Sequence, residues 1–167
     1  MALSSSKLGD LFTGQFATES EAITYMVDSF VSFFSDATVA GAPAAPAALV
    51  GPGSPAALME AALAGLSQPG AGAGKLQAGF TAFWTQAMLV APTIWPTAAP
   101  PIVPASGIIP AGLGSISGSL APAFASNTAT KADTATAKAA LAAALLPTQL
   151  GATVLLSPGT NPPVPVL

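Results

Sequence analysis

The stretch Thr18–Asp36, TESEAITYMVDSFVSFFSD, predicts the main amphipathic helix of the chain. Thr18 and Glu21 have the spacing of a capping box, in which two side chains satisfy free backbone N–H groups of the first turn. Behind them, apolar residues recur at steps of three and four and form one stripe: Ile23, Met26, Val27, Phe30, Phe33 and Phe34. We therefore expect a helix over 18–36, preceded by a short helix over 5–12.

Further along the chain, four segments have helical patterns. Ser54-Pro55 is a favourable start, because Ser caps a helix and Pro is tolerated at its first position. The glycines of 70–74 predict a flexible joint, after which a helix begins near Lys75 and ends before Pro92. Helical spacing returns over 112–125, and the alanine-rich stretch 132–146 predicts a helix that ends at Pro147.

Between these helices the sequence is rich in Ala, Gly and Pro. Residues 40–54 have the composition of a linker with no core of its own. Residues 91–110 hold six prolines together with large apolar residues, so we expect an ordered, extended segment lying on a partner or on the chain's own helices. Residues 149–167 predict an extended C-terminal arm.

The predicted fold is mainly α, with a few short-to-medium amphipathic helices joined by extended segments. It divides into an N-terminal helical segment (1–39), a linker (40–54), a helical body (55–148) and the C-terminal arm (149–167).

The chain is unusually poor in charge. Of 167 residues, 7% are charged and 51% are hydrophobic, whereas soluble proteins average about 25% charged. No charge lies between Lys75 and Lys131 or after Lys138. Four lysines and no arginine exclude a surface that reads nucleic-acid phosphates. So little charge predicts a protein that other subunits or lipid cover.

The same composition gives little material for catalysis. There is no His to activate a Ser or Thr, and no Cys for thiol chemistry or zinc. The acidic residues have helix-surface spacing, which is typical of capping and solvation. Gly70–Lys75 lacks the spacing of a phosphate-binding loop, and Leu76 stands where that motif has Ser or Thr. We expect no enzyme activity, no metal and no cofactor.

Large apolar residues are the candidate contact residues. Those on the predicted helices form either a core face or a binding face, and core is the default for an ordinary protein. The chain has too few polar residues to cover the surface of a monomer. We therefore expect the following residues to contact neighbouring subunits: Phe30, Phe33, Phe34, Phe80, Phe83, Trp84, Met88, Ile94, Trp95, Ile102 and Val103.

A membrane-embedded or envelope-associated protein is the alternative hypothesis. The windows Leu76–Trp95 and Ala139–Leu156 are apolar, but polar residues and proline interrupt both. A spanning helix needs about 20 mainly apolar residues, and basic flanks that would set a topology are missing. The sequence therefore favours assembly with protein over insertion in lipid.

The order of elements resembles small virion proteins of tailed bacteriophages. The likeness lies in the opening MALSSSKL (1–8), the amphipathic helix with its terminal Phe residues, the Ala/Pro/Gly spacers and the later AGFTAFW (78–84). It implies a structural piece of a tail, baseplate or neck, present in many copies around a ring and located in the virion after assembly in the host cytoplasm. Its partners would be other structural subunits.

Overall fold

A computed structural model describes residues 10–12, 16–39, 42–96, 105–109, 113–130, 134–149, 153–156 and 164–165. This part of the chain is mainly α, as predicted. Its six α-helices are α1 (Glu19–Ser35), α2 (Pro55–Leu63), α3 (Gly72–Leu89), α4 (Ala91–Ile94), α5 (Ile116–Thr130) and α6 (Thr134–Gln149). A single turn of 3-10 helix, Asp10–Phe12, represents the described end of the short helix expected over 5–12.

Helix α1 begins and ends where its sequence predicts. The Thr18 hydroxyl accepts a hydrogen bond from the Glu21 N–H at 3.2 Å, and the Glu21 carboxylate accepts one from the Thr18 N–H at 3.2 Å. These reciprocal bonds satisfy two free donors and place a carboxylate at the positive end of the helix dipole. The apolar stripe then faces inward, with Phe30, Phe33 and Phe34 fully buried.

Helices α2 and α3 pack against each other with an unusually close approach. Ser54 caps α2 by accepting a hydrogen bond from the Ala57 N–H at 3.2 Å, and Pro55 is its first residue. After α2, Gly65 has a φ of +83°, a conformation that favours glycine. Gly79 of α3 lies against Leu63, so close that a Cβ at Gly79 would stand 2.8 Å from a Leu63 methyl.

The expected flexible joint at 70–74 is in part helical. Helix α3 starts at Gly72, three residues before the predicted start at Lys75. It ends at Leu89, and α4 follows after Val90 with Pro92 as its second residue. Proline thus separates the two helices as expected, because its ring suits a first turn and opposes a helix interior.

The Ala/Gly/Pro-rich segment before α2, predicted as a linker with no core of its own, packs onto the core of the body. Strand β1 (Thr38–Val39) pairs antiparallel with strand β2 (Ala42–Pro43). Leu49 is fully buried, and the Ala45 N–H donates to the Ile94 carbonyl at 2.8 Å. Composition indicated a stiff spacer; the few apolar residues in it nevertheless find sites in the core.

Helices α5 and α6 both contain a proline, and both extend past their predicted ends at 125 and 146. Pro122 lies inside α5, which runs on through Asn127 and Thr128 to Thr130. Pro147 lies inside α6, which extends to Gln149. A proline removes one helical hydrogen bond and crowds the preceding turn. The burial of Leu120 in α5 and Leu145 in α6 stabilises these helices against that cost.

The extended segments form a second small sheet. Strands β3 (Ala105–Ile109), β4 (Thr153–Leu156) and β5 (Val164–Pro165) are antiparallel in the order β3-β4-β5. Strand β3 also contacts α3 and α4. Of the two predicted alternatives for the proline-rich segment, its described strand therefore lies on the chain's own helices.

Candidate interaction surface

The structure buries most of the residues predicted to contact partners. Eight of them have at most 1% of their surface exposed, so they form the interior of the chain and offer no face to a neighbour: Phe30, Phe33, Phe34, Phe80, Phe83, Trp84, Ile94 and Trp95. The sequence alternatives were a core face and a binding face, and the core face is correct for these residues.

The aromatic rings among these residues pack together and join α1, α3 and Trp95, the residue that follows α4. The Phe30 ring stands edge-on to the rings of Phe80 and Phe83, with centroids 4.8 Å apart in both pairs. The Phe34 ring lies 5.2 Å from Trp84 and 5.6 Å from Trp95. Edge-to-face pairs of this kind are favourable beyond the area they bury. The aromatic stripes of α1 and α3 therefore pack against each other.

Met88 is the predicted contact residue that stays accessible, with 36% of its surface exposed. Leu89 beside it is 73% exposed and Val50 is 51% exposed. The Gln86 side chain donates to the Gly53 carbonyl at 2.8 Å, which holds the loop after Val50 against the last turns of α3. Because Val50 lines one of the grooves beside α1, we call Met88 and Leu89 alone the apolar end of the body. Ile102 and Val103 lie outside the described residues.

The outward side of α1 is polar and carries two shallow grooves of about 310 and 320 Å³. Asp28 lines both grooves. In one of them the Thr24 hydroxyl donates to a Glu60 carboxylate oxygen at 3.3 Å. The other is lined by Asp10, Tyr25, Asp28, Ser29 and Ser32. Within the described residues no three potential metal-ligating side chains come together.

Several polar side chains connect distant parts of the chain. The Lys138 ammonium lies 3.0 Å from the Asp10 carboxylate and joins α6 to the first described turn. Gln77 of α3 accepts a hydrogen bond from the Ser117 N–H of α5 at 2.9 Å. The Trp84 indole N–H donates to the Gln149 side chain at 2.8 Å, with both side chains buried. These bonds fix the relative positions of helices.

Glu19 makes a similar connection at the surface. Its carboxylate accepts hydrogen bonds from the Gly65 N–H at 2.6 Å and from the N–H and hydroxyl of Ser67. The Ser67 hydroxyl, and after it the Gly65 N–H, lower the pKa of Glu19 below its usual value, because both stabilise the charged form. The first turn of α1 is thereby joined to the loop that follows α2.

Sequence reasoning missed the role of Gln149. The sequence placed it at the start of the extended arm, because Pro147 predicts the end of the preceding helix. In the structure α6 continues past the proline and delivers Gln149 to the Trp84 indole. A lone Gln in a leucine-rich stretch is the only local signal, and it does not name a partner. The indole N–H of Trp95, by contrast, is buried and has no hydrogen-bond partner among the residues that the structure describes.

No family model, no curated protein and no solved structure matches this chain. Within the described residues, no helix combines the length and the apolar character needed to cross a bilayer.

Proposed function

We propose that this chain is a non-enzymatic structural subunit of a large multi-subunit assembly, of the kind found in a bacteriophage or phage-like tail, baseplate or neck. The observation that carries the proposal is the use of its polar side chains. Glu19, Gln77, Gln86 and Gln149 each bond to a distant part of the same chain. Many of the longer polar side chains in this charge-poor chain thus hold its own segments in fixed relative positions.

The polar grooves beside α1 support catalysis less well than the internal hydrogen bonds support a structural role. General acid–base work needs titratable groups that are held near a bound substrate and tuned in pKa. Asp28 and Glu60 share a groove, and both are exposed on helix surfaces that face solvent. Solvation of α1 and α2 accounts for carboxylates in such positions. The grooves are therefore consistent with the solvent-facing side of a structural subunit.

The apolar end of the body is the surface we assign to contact with neighbouring subunits. Apolar residues exposed next to one another mark interfaces when they form a continuous patch. Obligate interfaces bury about 2,000 Å² or more in total and resemble a domain core cut in half. Met88 and Leu89 would supply the centre of one such contact. Partners would be other structural subunits, including further copies of this chain in a ring within the virion.

Sedimentation of the native protein from its source, without detergent, tests the proposal. The chain, located by mass spectrometry, should migrate with a megadalton particle in fixed stoichiometry. Recovery in a membrane fraction that only detergent releases would contradict the proposal and favour the lipid-embedded alternative.

A pair of variants tests the assigned surface. Leu89→Lys places a charge at the apolar end, and Ser32→Lys places the same charge on the polar side of α1. Both positions are exposed, so both variants should fold. We expect Leu89→Lys to reduce incorporation into the particle at least tenfold and Ser32→Lys to leave it unchanged. Equal incorporation of the two variants would exclude the apolar end as the contact.

A further inference from the structure

One of the two grooves beside α1 is built from a single face of that helix. Its described lining consists of Asp10 and four residues of α1: Tyr25, Asp28, Ser29 and Ser32. The four recur at steps of three and four residues, so their side chains leave the helix on the same side. Asp10 belongs to the 3-10 turn, which packs against α1. We call this space of about 320 Å³ the Tyr25 groove.

The Tyr25 groove is negatively charged, and one of its carboxylates already holds an ammonium group. Asp10 bonds to the Lys138 ammonium at 3.0 Å. Asp28 is exposed and makes no salt bridge within the described residues. None of the described residues that line the groove is basic. The charges of Asp10 and Lys138 cancel, so one negative charge remains in the groove, at Asp28.

The uncharged groups of the groove suit a cation as well. The hydroxyl oxygens of Ser29 and Ser32 can each accept a hydrogen bond. The Tyr25 ring packs beside the Phe16 ring, with centroids 5.0 Å apart, and Phe16 is 39% exposed. An aromatic ring attracts a cation that stands over its face within about 6 Å of its centre. Carboxylate, hydroxyl and aromatic groups thus meet on one side of α1.

Together these groups select a ligand by its chemistry. A carboxylate only accepts hydrogen bonds, and a primary ammonium has three donors and no acceptor. An ammonium can therefore bond to Asp28 and to a serine hydroxyl beside it, while its alkyl chain packs on the Tyr25 ring. Asp28 repels an anion, and a neutral apolar molecule would displace water from that carboxylate without replacing its hydrogen bonds.

We propose that the Tyr25 groove binds a primary alkylammonium group, with Asp28 as its counter-ion. The inference is independent of the proposed function, because α1 and the 3-10 turn of one chain supply all the residues that it uses. Two sources carry this chemistry: a free polyamine and the lysine side chain of a protein.

Tyr25 provides a specific reporter, because it is the only tyrosine of the chain. The full chain, labelled with ¹³C-tyrosine, is titrated with butylammonium chloride against the same concentration of NaCl, and separately with 1-butanol. We expect butylammonium to shift the Tyr25 NMR signals to saturation, and 1-butanol, a neutral molecule of similar shape, to leave them in place. Added salt should weaken the binding. Equal shifts from the two compounds, or no saturable shift, would overturn the proposal.

Two matched variants test the counter-ion. Asp28→Asn removes the charge and keeps the shape, and Glu60→Gln makes the same change in the neighbouring groove. Both positions are exposed, so both variants should fold, and their Tyr25 signals without ligand check this. We expect Asp28→Asn to lower the affinity about fivefold, the upper range for an exposed ion pair, and Glu60→Gln to have little effect. Equal losses would reflect net charge alone and would contradict the proposal.

A third variant fills the groove from within. Ser32→Lys places an ammonium group one helical turn after Asp28, where residues four apart are neighbours. We expect this variant to lose butylammonium binding, because its own side chain pairs with Asp28. Ser32→Lys with the affinity of the wild type would place the binding outside the Tyr25 groove and overturn the assignment.

A last pair of titrations identifies the source of the ammonium group. One uses 1,4-diaminobutane and the other uses Nα-acetyl-lysine N-methylamide. Binding of the lysine derivative as tight as that of butylammonium would assign the group to a protein side chain. Binding of the diamine alone would assign it to a free polyamine. Failure of both compounds to shift the Tyr25 signals would refute the site.

Discussion

The two halves of the described chain are stabilised in different ways. Residues 16–96 contain helices with side-chain caps at Thr18 and Ser54 and a core of interlocking aromatic rings. Residues 113–149 form two alanine-rich helices that each contain a proline and that bury mainly aliphatic side chains. The first half carries most of the large buried area, and area removed from water is the dominant favourable term in folding.

This difference predicts that the C-terminal half depends on the N-terminal half for its stability more than the N-terminal half depends on it. Helix α5 contacts α3, and Ile116 and Leu120 belong to the same core as the aromatic rings. Alanine contributes little buried area, so α5 and α6 need that contact to offset the cost of their prolines. The N-terminal half contributes most of the residues of this shared core and needs the C-terminal half less. Four experiments follow from this comparison, beginning with the largest expected effect.

Phe30→Ala removes the ring at the centre of the aromatic core. Such changes cost about 3–5 kcal/mol, a large part of the stability of a typical domain, so we expect both halves to unfold together. Leu120→Ala is the matched change in α5 and should cost about 2–3 kcal/mol. Urea unfolding followed by tryptophan fluorescence measures both. Hydrogen exchange should show that Leu120→Ala releases 113–149 first while α1 and α3 stay protected; equal release of all helices would refute the asymmetry.

Gly79→Ala tests how tightly the N-terminal half is packed. A Cβ at this position meets Leu63 at 2.8 and 2.9 Å, and overpacking a well-filled contact costs about 1–3 kcal/mol. Gly74→Ala in the same helix meets nothing within 4 Å and should stabilise α3 by about 0.5–1 kcal/mol, because alanine is the better helix former. Thermal unfolding of the two variants should shift in opposite directions. A stabilised Gly79→Ala would mean that α2 and α3 can move apart freely.

Local signals predicted the N-terminal half better than the C-terminal half. The capping box at Thr18 and Glu21 and the Ser54-Pro55 start act within one helical turn, so the sequence indicates α1 and α2 almost to the residue. Pro147 gave an equally clear local signal for a helix end, and that prediction was wrong, because α6 continues to Gln149. Helix α5 likewise continues to Thr130, past its predicted end at 125. Contacts between distant parts of the chain, such as Trp84 with Gln149, stabilise helix beyond the proline, and no local pattern reveals them.

The candidate surface was harder to predict than the fold. A stripe such as Phe80, Phe83 and Trp84 has the same sequence pattern whether it faces a core or a partner. The stripe is buried only if another apolar stripe of the same chain packs against it. Phe30 and Phe34 of α1 supply that second stripe. The pairing of β3 with β4 has the same origin, since strands distant in sequence meet through main-chain bonds that side-chain patterns only weakly specify.

Gln149→Leu tests the hydrogen bond between the two halves. The change leaves the Trp84 indole N–H buried without its acceptor, which costs about 1–3 kcal/mol. In a Trp84→Phe background, which lacks the donor, the same change should cost less, and the double-mutant cycle isolates the bond from other contacts of Gln149. Unfolding in urea supplies the four free energies of unfolding. A coupling energy near zero would show that the halves are held together without this bond.

Glu19 is expected to give the smallest effect, because its contacts lie at the surface of the N-terminal half. Its pKa is lower in the folded chain than the ordinary 4.5, so its contribution to stability is present above pH 4.5 and is lost as the pH falls through the lowered value. Wild type should therefore exceed Glu19→Gln in thermal stability at pH 7 and approach it at pH 3. Ser67→Ala removes the first cause of the shift and should raise the pKa of Glu19, measured by NMR titration, toward its usual value. A stability difference between wild type and Glu19→Gln that is constant from pH 7 to pH 3 would show that the charge of Glu19 does not hold the loop after α2.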